Sequence, residues 1–198
     1  AESIVLNLFG NVSKTAVRER VERRSESRYS WFARIDKMVH SSVVLTVEDG
    51  NMAGNITTDG KLYQVRPAGN GTHSIREIDQ SAFPQEDCAP PIETQDSEGF
   101  EPQTLLPTQD FADDATIIDV MVVYTQDAAN ASFNIGAEIQ LAVDETNQSY
   151  ISSGINPRIR LAHTAQVTYT ETGSMSTDVS RLKIPSDGYM DDVHTLRN

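Results

Sequence analysis

The chain has 198 residues and a mass of 21.8 kDa, room for one good-sized domain or two small ones at ~100–200 residues each. It carries 16 Lys+Arg against 29 Asp+Glu, a net charge of −13, and only 38% apolar residues. So acidic a chain is unsuited to the phosphate backbone of nucleic acid, no run approaches the ~18 consecutive apolar residues of a membrane span, and a single cysteine cannot build a disulfide framework.

From the amino terminus, short apolar alternations are broken by turn signals. Ile4, Leu6 and Leu8 share a face, and Tyr29, Trp31 and Phe32 lie in a β-favouring run to Ile35. Val43, Leu45 and Val47 end at Asp49-Gly50, Met52 to Thr58 at Asp59-Gly60, and Leu62 to Arg66 at Ala68-Gly69-Asn70-Gly71; His73 to Ile78 follows. Period-two patterns closed by Asp-Gly and Asn-Gly predict antiparallel hairpins, hence a meander of six or seven strands. Ala16 to Arg24 fits a helix through Val17 and Val21, or a strand with Val17, Glu19 and Val21 on one face. A strand is expected because its neighbours are strands. The mixed charges of Arg18, Glu19, Arg20, Glu22, Arg23 and Arg24 read as a solvated face, with a docking surface as the alternative.

Charge then locates a boundary. Residues 1–83 carry a net +1 and residues 84–198 a net −14. From Gln85 to Thr116 there are nine acidic residues, no Lys or Arg, and Pro90, Pro91, Pro102 and Pro107. Like charges and imides with few apolar side chains predict an extended linker over 84–115.

Beyond it, Ile117 to Tyr124 is nearly continuous in apolar residues, as in a strand covered on both faces. Ile135, Ile139, Ala142, Val143, Thr146 and Tyr150 form a helix stripe, predicting one long helix from Ala128 to Ser153. Ile155 to Thr170 then alternates, with His163 on the face read as buried. Strand, helix, strand predicts a parallel pair with a crossover helix. A short helix is expected over Ser176–Leu182, and a last one near Tyr189 with Asp187 as cap and Asp191 and Asp192 in its first turn. Two strands make a thin core, so the chain is read as the front portion of a longer one. The start at Ala1, with no basic–apolar–small pattern, is read as lying after a targeting segment.

Chemistry-bearing residues are sparse. His40, His73, His163 and His194 are far apart, and there is no His-Glu-x-x-His, Cys-x-x-Cys, Gly-x-Ser-x-Gly or phosphate loop. His163 reads as a core histidine, and Asp187, Asp191 and Asp192 as helix-start carboxylates. The one reactive group is Cys88, in Phe83-Pro84-Gln85-Glu86-Asp87-Cys88-Ala89-Pro90-Pro91. On spacing alone it is either a thiol displayed on a stiff segment or a lone cysteine without a role.

Several segments resemble reprolysin-like zinc metalloproteases of the metzincin group, in the secreted bacterial branch that includes peptidyl-Asp metalloproteases. They are Val122-Val123-Tyr124-Thr125, Ala142 to Tyr150, Ser153-Gly154-Ile155-Asn156, Arg158 to His163, Ser174 to Asp178 and Ser186 to Arg197. Val17 to Arg24, Tyr29-Ser30-Trp31-Phe32 and Gly69-Asn70-Gly71 resemble that group's propeptide. The resemblance implies an α+β chain: an antiparallel β-rich propeptide domain over 1–83, the linker over 84–115, and over 116–198 an incomplete α/β metzincin-like catalytic subdomain that lacks the zinc helix. It implies zinc held by ligands beyond residue 198, with no catalytic residue assignable in this chain. Cys88 becomes the expected metal ligand, a propeptide cysteine whose thiolate takes the exchangeable position of catalytic zinc. Asp119 lies where some relatives place an acidic calcium ligand, so calcium is a further implied cofactor. The implied partners are the chain's own catalytic domain and a protein or peptide substrate, and the implied location is extracellular. The leading expectation is an endopeptidase zymogen portion, inactive by itself. Alternatives are a β-module acting in trans as protease inhibitor or folding assistant, and an adhesion or structural β-domain.

Overall fold

The structure is a computed structural model that describes residues 1–10, 12–83 and 116–197. Among these residues are two sheets and four α-helices. The first sheet is a meander of β1 (Ser3–Asn7), β2 (Ser13–Arg23), β3 (Arg28–Ile35), β4 (Ser42–Glu48), β5 (Asn51–Thr58), β6 (Lys61–Gly69) and β7 (Thr72–Ile78), each antiparallel to its neighbour in chain order. The Asp-Gly turns are as expected: Asp49, Gly50, Asp59 and Gly60 all have positive φ, the conformation of tight hairpin turns. The Ala16–Arg24 segment is a strand for most of its length.

One face of this sheet carries its own core: Leu6, Leu8, Ala16, Trp31, Ala33, Ile35, Val43, Leu45, Ile56, Tyr63 and Val65. The opposite face also holds buried residues, Phe32, Val44 and Ala53, together with buried Ser30 and Thr46. Strands β3 and β4 are therefore buried on both sides, because a helix covers the second face.

That helix belongs to the second part. It comprises β8 (Ile117–Tyr124), α1 (Gln126–Ala131), α2 (Ile135–Ser152), β9 (Arg158–Gln166), α3 (Met175–Lys183) and α4 (Asp191–Arg197). Strands β8 and β9 pair in parallel with α1 and α2 between them, as the strand–helix–strand pattern required. The expected single helix over Ala128–Ser153 is instead two. The chain leaves helical geometry at Ser132, and Asn134 restarts it by accepting a hydrogen bond from Ala137 N at 3.0 Å. At the far end α2 stops before Gly154, whose φ is +70°.

Two further expectations change. Strand β8 is not covered on both faces, since Ile117 and Ile118 are 57% and 46% exposed. His163 is not a core residue but exposed. The register shows why: Val120 pairs with Leu161, but Met121 pairs with His163, leaving Ala162 as an extra residue. A bulge of this kind shifts the alternation by one, which sends His163 to the face opposite Leu161. The expected linker over 84–115, with Cys88 in it, lies outside the described residues. No described helix is long and apolar enough to cross a membrane.

Candidate functional site

The most heavily built polar site lies where α2 crosses β3, β4 and β5. Helix α2 has two working faces. Ile135, Ile139, Ala142, Val143 and Thr146 line the side toward Val120, Val122 and Ile159 of the parallel pair. Ala137 and Leu141 pack instead on Phe32, Val44 and Ala53 of the first sheet. Burying Leu141 there contributes about 1.5–3 kcal/mol. Ala137, Leu141, Asp144, Glu145 and Gln148 follow helical spacing down this face.

The residue at its centre is Asp144, 1% exposed. Its Oδ2 accepts from Thr46 Oγ1 at 2.8 Å and from Ser30 Oγ, while its Oδ1 accepts from Gln140 Nε2 at 3.0 Å and from the Arg24 guanidinium, which also forms its ion pair. Arg24 also donates to Ser30 Oγ at 2.9 Å. Four donors from three stretches of the first sheet and from α2 itself converge on one carboxylate. Burial raises its pKa above the ordinary value, against the lowering effect of Ser30, Arg24, Thr46 and Gln140. The neighbouring Glu145 accepts from Asn55 Nδ2 at 2.8 and 2.9 Å, and burial raises its pKa too.

Outer links complete the contact. Arg20 donates to Gln148 Oε1 at 2.5 Å and lies 3.5 Å over the Phe32 ring. Arg66 pairs with Glu138 at 3.8 Å. Two glycines permit close approach. A Cβ on Gly136 would stand 2.9 Å from the Glu48 carboxylate, and one on Gly69, at φ +86°, would stand 2.7 Å from the Phe133 ring.

A bulge in β2 aims the arginines. Arg18 pairs with Ala33 but Arg20 pairs with Phe32, so Glu19 is the extra residue. Beyond it, Arg20 and Glu22 share the face of Phe32 and Ser30, whereas Val21 joins the opposite core. Val17, on the other side of the bulge, is 44% exposed. The expectation of Val17 and Val21 on one face therefore fails, and so does the solvated-face reading for Arg20 and Arg24. Those two belong to a docking surface.

The residues singled out from sequence do not converge here. Asp119 is met by Arg160 in a two-pronged pair, Nε–Oδ1 2.6 Å and Nη2–Oδ2 2.8 Å, and this hydrogen bonding holds its carboxyl below the ordinary range. The polar partner that an acid in an apolar strand requires is thus an arginine. Asp187 accepts from Tyr189 N at 3.0 Å and Asp191 from Gly188 N at 3.1 Å, both local turn contacts. His73 Nε2 accepts from Met52 N, and a His194 ring nitrogen meets Leu182 O. His163 lines a polar cleft of about 760 Å³ between the two parts, with Arg24, Arg28, Glu48, Gln140 and Thr164. Among the described residues no three His, Cys, Asp or Glu side chains form a group able to hold a metal ion. The described residues therefore do not by themselves make up a zinc site.

What the fold and this site define is an antiparallel β-module seated, through a buried polar cluster, on the crossover helix of an α/β layer. The chain is 33% identical to a peptidyl-Asp metalloendopeptidase of Xanthomonas campestris over 171 residues, 80% of this chain and 38% of that protein. It is 33% identical over 206 aligned residues to a protein of the same name from Stenotrophomonas maltophilia R551-3, covering 92% of this chain and 47% of the relative. The protein of that name from strain K279a is 32% identical, again over 92% of this chain. This chain spans less than half the length of these curated relatives. The likeness supports kinship with bacterial metallopeptidases. No family model matches the chain, and no solved structure matches it.

Proposed function

We propose that this chain is the proregion and the first part of the catalytic domain of a secreted zinc-dependent endopeptidase acting on Asp-containing peptides. Residues 1–83 are the propeptide domain, 84–115 the linker, and 116–198 the start of a metzincin-like catalytic domain. Cys88 keeps the enzyme latent as a metal ligand, and the 198 residues alone are inactive. The observation that carries this reading is a likeness to metalloendopeptidases that covers 92% of the chain and so includes both of its parts. Calcium at Asp119 is not carried into it, because Arg160 already gives that carboxylate its counter-charge.

The test uses a longer polypeptide containing these residues. It should hydrolyse Asp-containing peptides, lose that activity on chelation and regain it with zinc. Cys88→Ser should bring activity forward, before any proteolytic processing. The 198-residue chain with added zinc should hydrolyse nothing. Hydrolysis by that chain, or none sensitive to chelation by the longer one, would defeat the proposal.

A further inference from the structure

We propose that the β-module of residues 1–83 recognises α2 through Asp144, and that the two parts stay together as a non-covalent complex after the chain between them is cut. The partner surface is a helix face of small and apolar residues, Ala137 and Leu141, followed by an acid meant for burial. The inference stands on the contact alone and needs no metal, thiol or peptidase activity.

Three observations carry it. First, each part has apolar packing of its own. The sheet's larger core lies on the face away from α2, and α2 packs on the parallel pair through a different stripe. Separation would therefore expose the interface without dissolving the sheet core. Second, the contact is specific and not merely greasy. Ser30, Thr46 and Arg24 each donate to Asp144, and Ser30 and Thr46 are 0% and 1% exposed. A helix without an acceptor at that position would leave the buried Ser30 and Thr46 hydroxyls, 3.1 Å apart, with one acceptor fewer than they have donors, and a buried unsatisfied donor is costlier than a lost surface contact. Third, the links are spread along most of the helix, from Glu138 with Arg66 to Gln148 with Arg20.

The carboxylate acts here as a hub of acceptors. Burial works against its charge, so its contribution lies in the hydrogen bonds it receives. That distinguishes two substitutions. Asp144→Ala removes every acceptor, and Asp144→Asn keeps one acceptor and the side-chain shape.

The experiment uses the full chain, with a site-specific protease sequence placed within 84–115 and cut only after folding. The pieces of the parent should co-elute on gel filtration at micromolar concentration. Asp144→Ala should raise their dissociation constant about 100-fold. Arg24→Gln, at the edge of the sheet and outside both apolar clusters, should raise it about 10-fold and keeps the test decisive should Asp144→Ala misfold. Asp119→Ala, which breaks the pair with Arg160, should leave it unchanged. Separation of the parent pieces on cutting would overturn the proposal. So would a dissociation constant indifferent to both Asp144→Ala and Arg24→Gln. Neither result bears on peptidase activity, so this inference and the proposed function fail separately.

Discussion

At the scale of single residues, Leu141 and Asp144 divide the work of one helix face. Leu141 is 2% exposed against Phe32, Val44 and Ala53. Leu141→Ala leaves a void between two rigid surfaces, and neither the strands nor the helix can close on it without breaking ladder or helical hydrogen bonds. The expected cost is about 2–5 kcal/mol, read as a lowered midpoint in urea with an unchanged slope. A slope that fell as well would mean that the two parts had come apart and were unfolding separately. Arg20 and Arg24 show what one extra residue can do. Without the bulge at Glu19, simple alternation would place Arg20 with the Trp31 face and Val21 outside. With it, the guanidiniums reach α2 and Val21 reaches the core. The sequence Arg-Glu-Arg-Val-Glu-Arg-Arg carries no mark of that shift. A charged strand with a bulge and a charged strand without one have the same composition, and only the partner strand decides.

At the scale of elements, α2 and β9 are joined by a side chain that imitates a strand. Asn147 donates through Nδ2 to Ile159 O at 2.8 Å and accepts at Oδ1 from Ile159 N at 2.9 Å. Both backbone groups of Ile159 are thereby satisfied on the β9 edge. Asn147→Ala strands them together and should lower stability by about 2 kcal/mol, measurable by thermal unfolding. Asn147→Asp keeps the acceptor and turns the donor into a repulsion against Ile159 O, so it should rescue little. The apolar stripe that made α2 legible, Ile135 through Thr146, is the one facing the parallel pair. The second stripe was not legible, because Leu141 is its one large apolar member and the rest, Ala137, Asp144, Glu145 and Gln148, look like solvent-facing positions. A usable signal did exist on the partner side. Trp31-Phe32-Ala33 and Val43-Val44-Leu45 are unbroken apolar runs inside an otherwise alternating meander, and such runs mark strands covered twice. The hairpin turns were legible for the opposite reason. Asp-Gly fixes its own backbone conformation and needs no distant partner. In β9 the alternation itself misled, since the bulge at Ala162 breaks the period without any change in residue type.

At the scale of the whole molecule, two buried carboxylates make the joining of the parts sensitive to pH, and the sign can be worked out. Burial raises Asp144 above 3.8 and Glu145 above 4.5 when α2 is docked. When the parts separate, both acids return to water and to ordinary values. The docked state therefore holds protons more tightly than the separated one. A raised value means that the contribution to docking is fully present below the ordinary carboxylate range. It is lost as pH rises through the raised values. Facing these acids are the guanidiniums of Arg24 and Arg66, and Ser30, Thr46, Asn55 and Gln140, which do not titrate. Two other acids run the opposite way: Asp119 beside Arg160, and Asp178, which accepts from Tyr169 and Thr172, are held low. Their contribution to folding is present above the ordinary range and lost in acid. They lie outside the contact between the two parts, so total stability mixes both signs whereas the association of the cut pieces reads only the interface. That association should tighten as pH falls from neutrality toward the carboxylate range, and Asp144→Asn should remove its own share of the change. Gel filtration of the cut chain across that interval checks it. Pieces that loosened on mild acidification would show that the Arg24–Asp144 attraction outweighs the burial of the charge, and the hub would have to be understood as an ion pair first.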